Sequence, residues 1–546
     1  MLNDKMHRWR FYRFFRVLTP ALLLVLVLSV IMLSRRASGV NRVFPDDAAY
    51  ADLAVARVLW SDHTYGLHAR EPSGAGFDAG WRILLAAAGG LTGDAVASGF
   101  LLNLIFSLIT LLAVLRMTRL LFPFPPFGYF AIALLILSPG LTGDALSGTS
   151  ASLATCLVTV ASLLHMEGIR GMRSVLPLSA AVLIGGAVWL RVEFALVWLL
   201  FFVHALVLSW IPYRNRPRPS AVVFRGINGI LMILLLALPL LAWNMWVIQV
   251  PWPRFPGVPM SMDAWSFERP AAAFSHMMEL VGSGWPEARA RLGAIPVMSV
   301  GFSRFLVMIG IVLIVGLSFV ETPGRPFTLT ACIVLLFPLL YALVYPYTGW
   351  FSADRVMRAF HPVLVVTAAY GVFRLPFAVE KLVLSWKPHT PTTYGFRIWW
   401  VVVGGVLMLM GFTQGVREHR AGVRELLQRE AVRSEISRAV EREGLFRDVF
   451  ITDEPGWPAY RHDLSLIDLS GQFSLDVLLR VADEGRIDPE RLRELFELRL
   501  PGAVLLWRSE KDDVVRKVPD YSVLIEPDEE YPHRPWFIVI TWPGVL

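Results

Sequence analysis

Residues 17–50 read VLTPALLLVLVLSVIMLSRRASGVNRVFPDDAAY, and this stretch decides how the chain folds. It opens with an apolar run, 17–34, close to the roughly 20 residues that a helix needs to cross the hydrocarbon of a bilayer. The segment before it, 5–16, is basic and aromatic. Because no Ala-x-Ala cleavage site follows the run, the pattern favours a retained membrane anchor with a cytoplasmic N-terminus over a removable signal peptide.

The whole chain shares this apolar character. Of its 546 residues, 55% are hydrophobic and 17% are charged, and the mean hydropathy is +0.54. A soluble chain carries about 25% charged residues, so this composition excludes a soluble globular enzyme. The net charge is +7, and short basic segments between apolar runs, such as 213–218, indicate contact with lipid headgroups rather than nucleic acid. Cys156 and Cys332 lie within apolar runs and exclude a disulfide framework or a Cys-rich metal site.

Further apolar runs follow the first, and most are long enough to span a bilayer. They lie near 95–116, 126–140, 144–165, 174–190, 193–210, 226–249, 301–320, 327–345, 359–374 and 398–413. Basic residues cluster at alternate ends of these runs, as expected when the first span starts in the cytoplasm. We therefore predict an α-helical polytopic protein of the cell (inner) membrane, with about 11 transmembrane helices and an extracytoplasmic C-terminal region.

The long hydrophilic segments all fall on the predicted external face. They are 35–80, 250–300, 346–358 and the tail from 414 onward. Long segments between elements of a compact protein are usually functional, so we expect the chemistry on this face. The chain divides into a membrane-embedded catalytic domain, 1–413, and a small extracytoplasmic α/β domain, 414–546.

The tail contains both helical and strand patterns. Residues 414–443 place apolar side chains among charges at a spacing that predicts an amphipathic helix, namely Val416, Val423, Leu427, Ile436 and Val440. Short runs rich in β-formers predict strands at 448–452, 464–469, 503–507, 521–525 and 536–541. Asp488-Pro489-Glu490 predicts a helix start, with Asp as the N-cap and Pro at the first helical position.

The adjacent acids Asp46 and Asp47 are the strongest local feature, because two neighbouring carboxylates repel each other and raise each other's pKa. A carboxylate in this setting can accept a proton from an incoming hydroxyl. The structural alternative is that one of them caps a helix over 48–60. Both roles can hold at once, with one Asp capping and the other facing the site.

Two other places carry charge close to the predicted external surface. Arg191 and Glu193 lie between apolar runs and qualify as functional candidates, although a tight external turn at headgroup level is the alternative. Arg355 and Arg358 are three residues apart at the start of a predicted helix, which suits phosphate binding. The alternative for this pair is an anchor at lipid phosphates. His63 belongs to no metal-ligand spacing.

These residues resemble the GT-C class of integral-membrane glycosyltransferases, which use polyprenyl-phosphate-linked sugars, and in particular a bacterial arabinofuranosyltransferase- and mannosyltransferase-like branch. The resemblance rests on Pro45-Asp46-Asp47-Ala48-Ala49-Tyr50, Ala56-Arg57-Val58-Leu59, His63-Thr64-Tyr65-Gly66, Glu71-Pro72-Ser73-Gly74, Gly80-Trp81, Arg191-Val192-Glu193, Arg355 with Arg358 and Pro362, Trp457-Pro458-Ala459-Tyr460, and Ile467-Asp468-Leu469-Ser470-Gly471. Two positions depart from the family pattern, because Val58 replaces its Asn and Val192 replaces its Pro.

The resemblance implies transfer of a sugar from a polyprenyl-phosphate donor to an extracytoplasmic hydroxyl of a glycan, lipid or protein. It makes Asp46 the general base and Asp47 its helper or a metal contact, and direct displacement inverts the anomeric configuration. Arg355 and Arg358 are expected on the lipid phosphate. The remaining substrate contacts expected are Arg191, Glu193 and His63. The sequence requires no cofactor, and it is compatible with a divalent ion, Mg²⁺ or Mn²⁺, near the acidic pair.

A transporter or flippase of lipids or glycans is the alternative function. It predicts charged residues at mid-depth in several spans, whereas the predicted spans have nearly charge-free centres. An envelope-assembly scaffold whose tail binds partners is a third, weaker interpretation.

Overall fold

The computed structural model describes most of the N-terminal half of the chain, the long helix that precedes the tail, and the strands of the tail. The described residues are 2–39, 43–44, 47–67, 73, 78–121, 125–137, 139–171, 176–210, 218–248, 340, 358–366, 369–370, 393–445, 449–452, 456–462, 465–468, 482–483, 486–487, 501, 503–506, 520–525 and 535–541.

Helices account for most of these residues. They are α1 (Leu2–Ala37), α2 (Asp47–Asp62), α3 (Ala79–Thr92), α4 (Ala95–Leu121), α5 (Pro125–Leu137), α6 (Pro139–Ser147), α7 (Ala151–Gly171), α8 (Leu178–Val188), a 3-10 turn (Val192–Phe194), α9 (Ala195–Trp210), α10 (Pro219–Ile248), α11 (Thr393–Glu443) and α12 (Gly456–His462).

Within the described residues, five helices are long and apolar enough to cross a membrane. They are Thr19–Ala37, Ala95–Leu121, Ala151–Ile169, Val192–Trp210 and Pro219–Val247. A sixth span results if the pair Gly128–Ile136 and Gly140–Ser147, bent by 52°, counts as one. The chain therefore has the helices of a multi-pass membrane protein, while the predicted count of about 11 stays a prediction.

The predicted spans agree with the structure to different degrees. The run predicted over 174–190 forms the short helix α8, and the two runs predicted over 126–140 and 144–165 form three helices, α5 to α7. One break comes at Pro139, since proline is favoured in the first turn of a helix and disfavoured in its interior, and the other follows α6 at Gly148, whose φ is 75°. The run 398–413 lies within α11, and 359–374 is described in part. Runs 301–320 and 327–345 lie outside the described residues, apart from Leu340.

Helices α1 and α10 present apolar side chains outward, as membrane-facing helices do. Leu26 on α1 is 60% exposed, and Phe224 and Trp246 on α10 are 66% and 72% exposed. The windows of α4, α7 and α9 that qualify as spans are buried to a much larger extent than those of α1 and α10. An outward apolar surface of this kind costs little free energy in lipid and a great deal in water.

The helices alternate between two ends of the bundle. At one end, the Trp81 indole donates to the Gly148 carbonyl at 3.2 Å, and the first turn of α3 donates to the turn between α8 and α9. At the other end, Arg116 of α4 forms an ion pair with Glu167 of α7 at 2.7 Å. The connections after α2, α6 and α8 therefore share one face, which we call the site face. Its extracytoplasmic location is the sequence-based prediction.

Helix α11 runs without interruption for 51 residues and crosses the predicted domain boundary at 413/414. Its C-terminal half packs inward with Leu426, Val432, Ile436 and Val440. Leu427, predicted on the apolar face, is instead 42% exposed, because the buried stripe follows Leu426 one position earlier. The division of the chain into two domains stays a prediction.

The tail contains a five-stranded sheet in the order β2-β1-β5-β7-β6 and a separate two-stranded ladder. The strands are β1 (Val449–Thr452), β2 (Ser465–Asp468), β3 (Ala482–Asp483), β4 (Arg486–Ile487), β5 (Ala503–Leu506), β6 (Asp520–Ile525) and β7 (Trp536–Thr541). Strand β1 is parallel to β2 and β5, and β7 is antiparallel to β5 and β6. Four of the five runs predicted as strands contain a sheet strand, and the fifth, 521–525, lies within β6. The helix predicted to start at 488 lies outside the described residues.

Candidate active site

Asp47 is the first residue of α2, and its carboxylate binds the N-terminus of α12. Its Oδ2 accepts a hydrogen bond from the Gly456 N–H and its Oδ1 accepts one from the Trp457 N–H, both at 2.7 Å. Only 8% of Asp47 is exposed. The first N–H groups of a helix have no partner inside that helix, and a carboxylate there is favoured by the helix dipole. Asp47 therefore caps a helix that lies 409 residues away, as well as beginning its own.

Arg57 binds the other end of α12. Its guanidinium donates to the Ala459 carbonyl and to the Tyr460 carbonyl, both at 3.1 Å. These carbonyls are among the last four of α12, and the last four carbonyls of a helix accept no hydrogen bond within it. Ten residues separate Asp47 from Arg57, or about 15 Å of helix. An acid at the N-terminus and a base at the C-terminus both complement the dipole of α12.

Gly456 allows α2 and α12 to approach this closely. A Cβ atom at position 456 would overlap the backbone carbonyl oxygen of Asp47 and the backbone nitrogen of Ala51. Only glycine places its backbone N–H within reach of the Asp47 carboxylate without displacing α2. We call the contacts of Asp47 and Arg57 with α12 the α2–α12 joint.

Arg433 of α11 packs against the residues just before the joint. Its side chain is almost fully buried, and Nη1 donates to the Phe44 carbonyl at 3.3 Å. The guanidinium lies over the Tyr50 ring at 4.8 Å and over the Trp457 ring at 6.0 Å. The Tyr50 hydroxyl accepts a hydrogen bond from the Phe44 N–H at 3.2 Å. Both backbone groups of Phe44 are thereby bound.

The opposite side of α2 carries a buried ion pair with α3. Arg82 Nε donates to Asp52 Oδ1 at 2.7 Å, and Arg82 Nη1 donates to the Tyr65 hydroxyl at 3.1 Å. Burial works to lower the pKa of Arg82, but the neighbouring Tyr65 and Asp52 outweigh it and raise that pKa. Burial raises the pKa of Tyr65, so this hydroxyl stays protonated. The three side chains form a polar cluster within otherwise apolar packing.

Asp78 joins α3 to two other connections of the site face. Its carboxylate accepts a short hydrogen bond from the Ser150 hydroxyl, and its N–H donates to the Leu190 carbonyl at 2.7 Å. Asp78 holds φ at 67°, in the left-handed region where Asp is tolerated better than most residues. It therefore connects the starts of α3 and α7 with the turn between α8 and α9.

Arg191 and Glu193 follow that same turn. Arg191 has extended backbone and precedes the 3-10 turn that contains Glu193. The backbone forms a tight turn, and its depth relative to the lipid headgroups stays a prediction. Arg191 is 8% exposed and Glu193 is fully buried, so both lie inside the protein at the site face.

The remaining residues predicted for the site are Asp46, Arg355, Arg358 and His63. Asp46 and Arg355 lie outside the described residues. Arg358 is half-buried in a short helical segment. His63 is exposed and follows the C-terminal end of α2, about 24 Å along the helix from Asp47. The structure thus places Asp47 and His63 at opposite ends of α2 and buries Arg191 and Glu193 at the turn after α8.

A divalent ion near the acidic pair stays a prediction, since Asp46 lies outside the described residues and the structure describes only Asp47. Each of its carboxylate oxygens already accepts a backbone N–H at 2.7 Å. Among the residues that the structure describes, no group of three His, Cys, Asp or Glu side chains is arranged to hold a metal ion.

Three charged residues of this region, Asp52, Arg82 and Arg433, were not predicted from the sequence. Arg82 carried the clearest signal, because it is a lone charge in the apolar stretch 79–91 and needs a partner when buried. Arg433 carried none, since it lies among the many charges of the amphipathic helix.

Comparison with solved structures identifies similar folds. ArnT from Cupriavidus metallidurans bound to undecaprenyl phosphate is 14% identical, with a TM-score of 0.56 over 96% of this chain and 98% of that chain. Apo ArnT from the same organism is 13% identical, with a TM-score of 0.54 over 95% of this chain and 97% of that chain. The apo oligosaccharyltransferase of Archaeoglobus fulgidus is 13% identical, with a TM-score of 0.52 over 90% of this chain and 69% of that chain. No protein-family model and no curated protein sequence matches the chain.

At these identities the likeness concerns the fold. The predicted resemblance to GT-C membrane glycosyltransferases is therefore confirmed at the level of the fold, over nearly the whole chain.

Proposed function

We propose that this chain is a membrane glycosyltransferase of the GT-C type, acting on a polyprenyl-phosphate-linked sugar. The observation that carries the proposal is the shared fold, over 96% of the chain, with ArnT bound to undecaprenyl phosphate. Outward apolar helices and a polar site face next to the membrane suit a donor whose lipid tail stays in the bilayer.

The reaction is a displacement at the anomeric carbon. Asp46 accepts the proton of the acceptor hydroxyl as its oxygen attacks that carbon. The bond between the anomeric carbon and the phosphate oxygen breaks, and the polyprenyl phosphate leaves with the electron pair. A single displacement inverts the anomeric configuration. The acceptor is an extracytoplasmic glycan, lipid or protein hydroxyl, and the site face is extracytoplasmic.

Asp47 has a different role in this proposal from its neighbour. Because its two oxygens bind the N–H groups of Gly456 and Trp457, it is poorly placed to accept a substrate proton. It acts as a positioning residue for the segment that carries Asp46. The base is thus assigned to one acid of the pair and the structural contact to the other.

The leaving phosphate requires positive charge. Arg355 and Arg358 supply it, since two guanidinium groups one helical turn apart bind phosphate oxygens well. Arg191 and Glu193 shape the sugar pocket from the turn between α8 and α9, where both are buried. His63 is retained only as an outer contact with substrate, because it lies at the far end of α2.

The test compares Asp46→Asn with Asp62→Asn, which changes an exposed acid at the C-terminal end of α2. Cells lacking the protein are complemented with each variant, and mass spectrometry measures the polyprenyl-phosphate sugars in their lipid extracts. Loss of the base should cost about 10²–10⁴-fold in turnover, so Asp46→Asn accumulates the donor as the empty cells do.

The control variant Asp62→Asn should restore normal donor levels. Normal levels with Asp46→Asn would remove Asp46 as the base. Absence of any lipid-linked sugar build-up in cells lacking the protein would overturn the glycosyltransferase itself.

A further inference from the structure

We propose that helix α3 is docked on the lipid bilayer at the site face, with its outward side among the acyl chains next to the headgroups. Trp60, at the end of α2, lies at the headgroups themselves. The inference goes beyond the proposed function and does not depend on it. It identifies the partner of an exposed apolar surface that belongs to none of the five spanning helices found in the described residues.

The outward side of α3 is apolar. Between Ala79 and Leu91, its exposed residues are Ile83, Leu84, Ala87 and Leu91, which we call the α3 apolar face. Leu91 is 82% exposed. The one charged residue of the helix, Arg82, points inward to Asp52 instead. A helix that borders water has the opposite arrangement, with its polar side chains outward, so the reversal indicates that this face borders an apolar medium.

Helix α3 runs along the membrane surface rather than across the membrane. Its 14 residues extend about 21 Å, short of the roughly 30 Å of bilayer hydrocarbon. At its start, the N–H groups of Asp78 and Gly80 donate to the carbonyls of the turn after α8. At its end, only Gly93 and Asp94 separate it from α4. Both places lie on the site face, since Arg116 near the far end of α4 belongs to the opposite end of the bundle.

The surface of α3 continues that of a spanning helix. The inner side of α3 packs on α4, where the buried Leu85 side chain lies against Gly99. Helix α4 is long and apolar enough to cross the membrane, and it exposes Leu101, Ile105 and Leu112. A bilayer that surrounds α4 therefore meets the α3 apolar face at its surface. This continuity favours lipid over a protein partner as the occupant of the face.

Trp60 marks the boundary between lipid and water. It is 52% exposed, and its indole lies against the α3 backbone at Gly90, where an added Cβ atom would overlap the ring. The next residues, Ser61, Asp62 and His63, are exposed and polar. Tryptophan concentrates at headgroup level, because its ring is apolar and its N–H is polar. Helix α2 thus leaves the lipid at Trp60 and enters water within two residues.

Docking of α3 sets the position of α2 relative to the bilayer. The two helices are joined by the buried ion pair of Asp52 and Arg82 at 2.7 Å. At its start, α2 carries Asp47, which binds α12. The bilayer surface therefore supports α2 through α3, in addition to the support that α12 gives directly.

The test measures the depth of single fluorescent labels on the full-length protein in lipid nanodiscs. Cys156 and Cys332 are first replaced by Ala, and Leu91→Cys and Leu84→Cys then report on the α3 apolar face. Quenching is measured with aqueous iodide, with lipids that carry a nitroxide next to the headgroup, and with lipids that carry it near the chain end.

Two control positions calibrate the depth. Leu26→Cys lies in the middle of the α1 span, where Leu26 is 60% exposed, and Asp62→Cys lies at the exposed polar end of α2. Chain-end nitroxide should quench the first most strongly, and iodide the second. We expect the nitroxide next to the headgroup to quench both α3 labels at least about twofold more strongly than either other quencher, because a surface helix inserts only its apolar face.

Three results would overturn the inference. Iodide quenching at Leu91 and Leu84 as strong as at Asp62 places the face in water. Little quenching by all three agents shows that a second copy or another protein covers it. Chain-end quenching as strong as at Leu26 places α3 deep in the bilayer rather than at its surface. The readout needs no transfer activity, so it is independent of whether the chain is a glycosyltransferase.

Discussion

On one side of α2, Asp47 and Arg57 bind backbone groups at the two ends of α12, whereas on the other side Asp52 binds the side chain of Arg82. The first set of contacts uses helix ends, whose N–H and C=O groups exist whatever the side chains are. The second set needs one acid and one base in fixed positions, with side chains 2% and 7% exposed.

The two sets of contacts of α2 differ in how much free energy is lost when one partner is removed. A buried charge pair is costly to break, because the remaining partner stays charged without water. The Arg57 contact with the C-terminal end of α12 loses less when altered, since Arg57 is exposed and water can replace it. We conclude that the buried Asp52–Arg82 pair contributes more to the stability of α2 than the exposed Arg57 contact does.

Breaking the buried pair should have the largest effect on stability. Asp52→Asn leaves the Arg82 charge buried with only part of its former partners, which costs about 3–5 kcal/mol in free energy of unfolding. Unfolding of the detergent-solubilised protein by heat or denaturant measures it. The double variant Asp52→Asn with Arg82→Met removes that charge and should recover part of the loss. Equal losses in the single and double variants would contradict the assignment.

Gly456→Ala tests the α2–α12 joint. The added methyl overlaps the backbone of α2 at Asp47 and Ala51, so we expect a loss of about 1–3 kcal/mol together with lower transfer activity. The control is Gly422→Ala on α11, where the added atom meets open space. In the helix interior that change should be neutral or stabilising by up to about 1 kcal/mol. Similar losses for both glycines would show that the joint is not tightly fitted.

Arg57→Gln should have the smallest effect. Arg57 is exposed, and its loss removes two hydrogen bonds and one favourable charge at the C-terminal end of α12. We expect less than about 1 kcal/mol, decreasing further at high salt because exposed charges are screened. Thermal midpoints at low and high salt measure this. A loss as large as that of Asp52→Asn would erase the distinction between the two sides of α2.

Local signals predicted much of the fold. Runs rich in β-branched and aromatic residues located the five sheet strands of the tail to within one or two residues. The apolar runs located α4, α9 and α10, since a long run of apolar residues is itself the signal of a helix that crosses a membrane. The buried face of α11 was harder to predict, because Leu426 and Leu427 are both apolar and only packing decides which one is buried.

The site was predicted only in part. Adjacent acids pointed to 46–47 as a special segment, and a helix does begin at Asp47. Its capped partner could not be inferred, because the N–H groups that bind Asp47 belong to residues more than 400 positions away and carry no side-chain signal. The pairing of Asp52 with Arg82 spans 30 residues across two helices and depends on how those helices pack.

The separation between Asp47 and Gly456 has a consequence for the making of this protein. At about 5–20 residues per second, a ribosome needs roughly 20–80 s to synthesise the 409 residues that lie between the two partners. Throughout that interval the Asp47 carboxylate has already emerged, yet the helix that it caps does not exist. A nascent chain that ends before residue 456 never forms this contact, so the packing of α2 against α12 waits for nearly the last part of the polypeptide to be translated.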